Sequence, residues 1–258
     1  MSPRSRLAAA VLLTAMPLSI LSACESPSGR DRRAAQRRAA ESSAAPYQAE
    51  VDEGLGAAVA ILVDTSGSMR ERAPGDQRPK YIVAQDALEA MLNATEAFVA
   101  RRPDFPIKIG IYSFSSNARR LRDIQPSDRA GIRGALAAIP QPGGGTAIGE
   151  AMHEARPDLY RAGVFRKYVL VVTDGENTSG RTPDDVAREI FEKSEGAVQV
   201  YFVAFDTSPE KFAFLKEAGG DVIGAGSGVE LRKALDGIYQ GKILAEAPDA
   251  GEREPKGK

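Results

Sequence analysis

Three short segments of this chain carry oxygen donors in a pattern suited to holding a hard cation. Asp64-Thr65-Ser66-Gly67-Ser68-Met69 sets a carboxylate and two hydroxyls on alternate residues of a loop, so that three oxygens can face one point. Gly143-Gly144-Gly145-Thr146 is a glycine-rich approach to a threonine, and Thr173-Asp174-Gly175 places a carboxylate at the end of an apolar run. Oxygen donors of this kind suit Mg²⁺ or Mn²⁺ much better than zinc. Gly67 is expected to let the first loop bend back without a side chain over the ion. The chain has one cysteine, Cys24, and one histidine, His153, which excludes an intrachain disulfide and any Cys-rich or multi-histidine zinc site. Taken singly, each donor also has an ordinary structural role open to it. Thr146 could cap a helix, Asp174-Gly175 could be a turn, and Ser66 and Ser68 could bond to backbone.

The elements that would position these donors follow from the hydrophobic pattern. Short apolar runs alternate with longer amphipathic segments, the pattern of a mainly parallel sheet covered by helices on both faces. Buried strands are expected at 57–63, 107–114, 168–173 and 197–205, with a short final strand at 221–223 and an antiparallel edge strand at 118–124. Helices are expected at 81–101, from Ser127 as cap to near Ile139, at 146–160, after Thr182-Pro183-Asp184-Asp185, after Ser208-Pro209-Glu210, and at 228–239. The donor segments then fall in loops that follow strands or precede a helix.

The three segments, in this order and spacing, resemble the metal-ion-dependent adhesion site of von Willebrand factor type A domains, over roughly residues 56–241. The resemblance implies metal ligation by Asp64, Ser66, Ser68, Thr146 and Asp174, with Mg²⁺ (or Mn²⁺ or Ca²⁺) as the ion. It also implies a doubly wound α/β fold with a six-stranded sheet of order 3-2-1-4-5-6, which sets strand one beside strand four. That junction is the topological switch point where ligands of open α/β sheets usually bind.

A near balance of 34 basic and 35 acidic side chains, net charge −1, gives no field that would draw the chain to nucleic acid. The resemblance implies a protein partner whose Asp or Glu carboxylate completes the shell of an incompletely saturated ion, as in adhesion or envelope assembly. The loops 69–79, 141–145, 176–181 and 206–209 would choose that partner. The charges of Arg70, Glu71, Arg72, Asp76, Arg78 and Lys80 could contribute, or could simply be solvated. Two rival readings are a Mg²⁺-dependent hydrolase and an accessory subunit of a MoxR- or chelatase-type AAA+ ATPase. Against the first, there is no G-x-S-x-G elbow or P-loop, and His153 lies two helical turns beyond Thr146, so no enzymatic role is expected. Against the second stands export.

Export is read from the start of the chain. Arg4 and Arg6 precede an apolar run over 7–21 that is short for a membrane span. It ends in Leu21-Ser22-Ala23-Cys24, which resembles the lipobox of bacterial lipoproteins. The expected organisation is a signal peptide at 1–23, a lipid on Cys24 anchoring the protein in the cell envelope, a tether over 24–54, the folded domain at 55–242 and a disordered tail at 243–258.

Overall fold

The computed structural model describes residues 53–245; the leader, Cys24 and nearly all of the expected tether and tail lie outside the described residues. Six strands form one sheet of order β3-β2-β1-β4-β5-β6. They are β1 (Gly54–Asp64), β2 (Ile107–Phe114), β3 (Ala118–Pro126), β4 (Val164–Thr173), β5 (Val198–Phe205) and β6 (Asp221–Ala225). Neighbours run parallel except β2 and β3, which pair antiparallel. This is the doubly wound order expected from the resemblance.

The helices are α1 (Lys80–Arg101), α2 (Arg129–Ala137), α3 (Ile148–Tyr160), α4 (Pro183–Lys193) and α5 (Gly228–Ile238). They cover the sheet in two layers. On β1, Ala57, Val59, Ile61 and Val63 pack with α1, α2 and α5. The intervening Ala58, Ala60 and Leu62 pack with α3, α4 and the 3-10 segment Pro209–Lys216. Because alternate residues serve opposite layers, the strand must be apolar throughout, and each large aliphatic chain so buried contributes about 1.5–3 kcal/mol.

Several local expectations are corrected. The cap of α2 is Asp128, whose carboxylate accepts from the Gly131 N–H; Ser127 instead buries an unbonded hydroxyl. The helix after Ser208 is a 3-10 segment broken at Phe212. Helix α3 begins at Ile148, not Thr146, and its cap residue Ala147 supplies no side-chain bond. Regular structure takes in Gly54 at one end and, through the π-helical segment Tyr239–Leu244, a buried Leu244 at the other, one and two residues beyond the expected domain. Among the described residues, no helix is long and apolar enough to cross a membrane.

Candidate metal centre

Strands β1 and β4 are neighbours at the centre of the sheet, in register from Ala57 opposite Arg166 to Val63 opposite Val172. Their carboxyl ends therefore deliver Asp64 and Asp174 to one place, the switch point between β2 and β4 connections that leave in opposite directions. Both aspartates are buried, at 0% and 8% exposure. After Asp64 the chain passes into a 3-10 turn, Gly67–Arg70, which swings Ser68 across towards Asp174.

Hydrogen bonds join four of the five expected ligands into one cluster. The Ser66 N–H donates to Asp64 Oδ1 at 2.7 Å, the Ser66 and Ser68 hydroxyls lie 3.1 Å apart, and Ser68 Oγ donates to Asp174 Oδ1 at 2.7 Å. The fifth, Thr146, is brought alongside by backbone bonds: Gly143 N–H to Thr65 O at 2.8 Å and Gly67 N–H to Gly144 O at 3.1 Å. Thr146 is 5% exposed. Its own peptide is held by Thr178, whose Oγ1 accepts from the Thr146 N–H and whose N–H donates to Thr146 O, each at 2.8 Å. Thr146 lies one residue before the Ala147 cap of α3, so the capping role open to it in the sequence is not the one it fills, and Ser66, which stands at the head of the 3-10 turn, makes no side-chain capping bond.

The glycines divide the work differently from expectation. Gly67 has no left-handed backbone, and a Cβ there would meet Gly144 O at an ordinary 3.5 Å; the turn itself makes the bend. Gly144 is the constrained residue, with φ +81° and a Cβ position 2.7 Å from Ser116 Oγ, a conformation open chiefly to glycine. Above neighbouring Gly143 lies the exposed guanidinium of Arg70, on the rim of the cluster.

Two residues take parts in the site that the sequence did not suggest: Thr173, which was given no role, and Lys80, which was expected at most to meet a partner's charge from a solvated loop. Thr173 Oγ1 donates to Asp64 Oδ2 at 2.5 Å, so the hydroxyl preceding Asp174 orients the other aspartate. Lys80, expected on an exposed loop, is 4% exposed. Its ammonium lies 3.1 Å from Asp174 Oδ2, 2.8 Å from Asp206 Oδ2 and 3.2 Å from Glu71 Oε2. Thr173 stood inside the Thr-Asp-Gly motif and was a readable signal. Lys80 had none, because Asp174 and Asp206, which accompany its burial, lie far away in sequence.

Burial pushes the Asp64 carboxyl up to about 6, and the nearby charge of Asp174 adds to the rise against the bonds from Thr173 and Ser66. A fully buried carboxylate served only by neutral donors is short of positive charge. The donor set of hydroxyls and carboxylates therefore fits a hard divalent ion. Among the described residues, no group of three or more His, Cys, Asp or Glu side chains is arranged for a metal, so an ion here depends on the serines and the threonine. His153 donates nothing to the cluster: it sits half-buried on α3 with an unbonded Nδ1, and burial together with Arg181 and Arg156 holds its imidazole below the ordinary range. A groove of about 460 Å³ between β3 and α2, lined by Arg120, Arg122 and Asp123 among others, contains none of the cluster residues.

This sheet order and these carboxyl-end loops define the fold of the von Willebrand factor type A domain. Residues 59–176, which run from β1 past Asp174, match the family model described as von Willebrand factor type A domain. Solved structures agree in fold. PilB minor pilin from Streptococcus sanguinis superposes with TM-score 0.57 at 15% identity, over 76% of this chain and 63% of the pilin. Proximal thread matrix protein 1 from the mussel byssus, with a zinc-occupied MIDAS motif, gives 0.54 at 21%, over 76% of this chain and 46% of that one. An aerotolerance-related membrane protein from Bacteroides fragilis gives 0.54 at 22%, over 74% of this chain and 99% of that one. The chain thus spans less than two thirds of the pilin and of the byssus protein. A comparison with curated proteins finds no match.

Proposed function

We propose that this protein binds a divalent cation, Mg²⁺ by its ligand chemistry, through Asp64, Ser66, Ser68, Thr146 and Asp174, and grips a carboxylate of a protein partner there. The observation that carries this reading is the continuous contact Asp64–Ser66–Ser68–Asp174 between two buried strand ends. Bound there, the ion would supply a Lewis-acidic point for an Asp or Glu oxygen. The chain's own residues do the rest. The hydroxyls of Ser66, Ser68 and Thr146 are neutral donors that do not quench a cation's charge, while Thr173 fixes Asp64 and the glycine loop keeps the approach open. The zinc-occupied MIDAS motif of the byssus protein supports a metal in this arrangement.

The reading extends to a non-enzymatic role at the bacterial cell envelope, with the domain held to a membrane through a lipid on Cys24. A hydrolase needs a base beside the ion, and no imidazole reaches the cluster, which favours binding over catalysis. Calorimetric titration of Mg²⁺ into the purified chain tests the site. Saturable binding that Asp64→Ala abolishes supports it, and equal affinity in that variant overturns it. Capture of an envelope protein in Mg²⁺ and its release by EDTA tests the partner, and loss of fatty-acid labelling in Cys24→Ala tests the anchor.

A further inference from the structure

Lysine is a poor residue with which to open a helix, since the dipole makes the amino end positive and no acidic residue occupies the first turn of α1 to offset it. Lys80 nevertheless stands there with its side chain turned inward and almost wholly buried. Burying an ammonium is costly unless it is paired, and three loops supply the pairing: Glu71 after β1, Asp174 after β4 and Asp206 after β5. The placement is built in. The Lys80 N–H donates to Glu71 O at 2.8 Å, a bridge between Arg72 and Pro79 closes the loop before it, and Asp206 meets the ammonium from a left-handed backbone of φ 54°. A non-glycine residue in that conformation carries strain that surrounding contacts must offset.

The consequence for the site lies in how Asp174 is divided. One carboxylate oxygen accepts from Ser68 and the other from Lys80, and the side chain has no exposure at all. Asp206 and Glu71, at 34% and 69% side-chain exposure, are partly screened by solvent. The buried charges are then two carboxylates and one ammonium, and with a divalent ion the sum is positive instead of neutral. We infer that Lys80 is a fixed counter-charge of the ion site, which takes up half of the Asp174 carboxylate and keeps a bound cation electrophilic toward an incoming carboxylate. Lys80 thus acts through Asp174, as a positioning residue that tunes ligand strength.

This inference rests on the ion-binding reading above, and it makes a prediction of opposite signs that a purely structural lysine does not. In the purified full chain carrying Lys80→Met, Mg²⁺ should bind at least about threefold more tightly, because a like charge beside the ion is gone. Acetate, read by ¹³C relaxation on the Mn²⁺-loaded chain, should bind at least about threefold more weakly. Should Lys80→Met fail to fold, Lys80→Gln, whose amide can still donate to the buried Asp174 carboxylate without carrying charge, is read in the same way. Parallel loss of Mg²⁺ and acetate affinity, or no change in either, overturns the counter-charge role. Absence of Mg²⁺ binding by the unaltered chain overturns the reading on which it rests.

Discussion

The ends of β1 and β4 lie side by side and each delivers one buried aspartate, yet the two carboxylates live under different electrostatic terms. Asp64 is served by a peptide N–H and the Thr173 hydroxyl, all neutral, and its carboxyl is pushed up to about 6 by burial. Asp174 shares a buried ammonium and accepts a serine hydroxyl. One acid is therefore already compensated by the fold, while the other is left wanting a positive charge. In the proposed ion site, Asp174 is neutralised without metal while Asp64 stands to gain from one.

The contrast predicts that the same isosteric change will act oppositely at the two places. Asp174→Asn strips a buried partner from Lys80 and should cost about 3 kcal/mol of stability, seen as a lower urea midpoint in EDTA. Asp64→Asn removes an unpaired buried charge, so without metal at pH 7.5 it should stabilise by about 1 kcal/mol while abolishing Mg²⁺ binding. Equal destabilisation by both would erase the distinction.

The pH dependence sharpens it. A carboxyl whose folded value of about 6 exceeds the ordinary 3.8 binds its proton more tightly in the folded state. The metal-free domain is thus favoured fully below about pH 4 and loses that advantage as pH rises through about 6, by on the order of 3 kcal/mol. Subtracting the profile of Asp64→Asn isolates this contribution in urea titrations, and saturating Mg²⁺ should suppress it. Near pH 6, calorimetry in buffers of different ionisation enthalpy should register proton release on Mg²⁺ binding.

A smaller loss than that of Asp174→Asn belongs to the link between the two acids. Ser68→Ala removes the hydroxyl that donates to Asp174 and should cost about 1 kcal/mol of stability. Mg²⁺ affinity should fall roughly tenfold, a loss of about 1.4 kcal/mol. An unchanged affinity in calorimetry would remove Ser68 from the ligand set.

Much of this arrangement was legible in the sequence, for reasons that also set the boundary of legibility. Strand β2 was read at its observed limits because it is apolar on both faces and ends at a polar turn. The Thr182 cap of α4 was readable because its chemistry is local, a threonine followed by proline and acids. The strand order came from the resemblance, since spacing alone does not choose neighbours in a parallel sheet. Lys80 was misplaced because its burial depends on Asp174 and Asp206, which only the folded sheet brings near. The choice of Asp128 over Ser127 as a cap is a one-residue matter of backbone angle, and composition does not resolve it.

The path of β1 has a mechanical meaning. Strand β1 runs from Gly54 to Asp64, 11 residues about 36 Å long, with a register shift between Gly54 and Ala57. In the proposed arrangement, tension between a partner held at the ion and the proposed amino-terminal anchor would load this strand. From Ala57 onward its flanks are bonded to both β2 and β4, so drawing this strand out of the sheet would shear two ladders at once instead of peeling one.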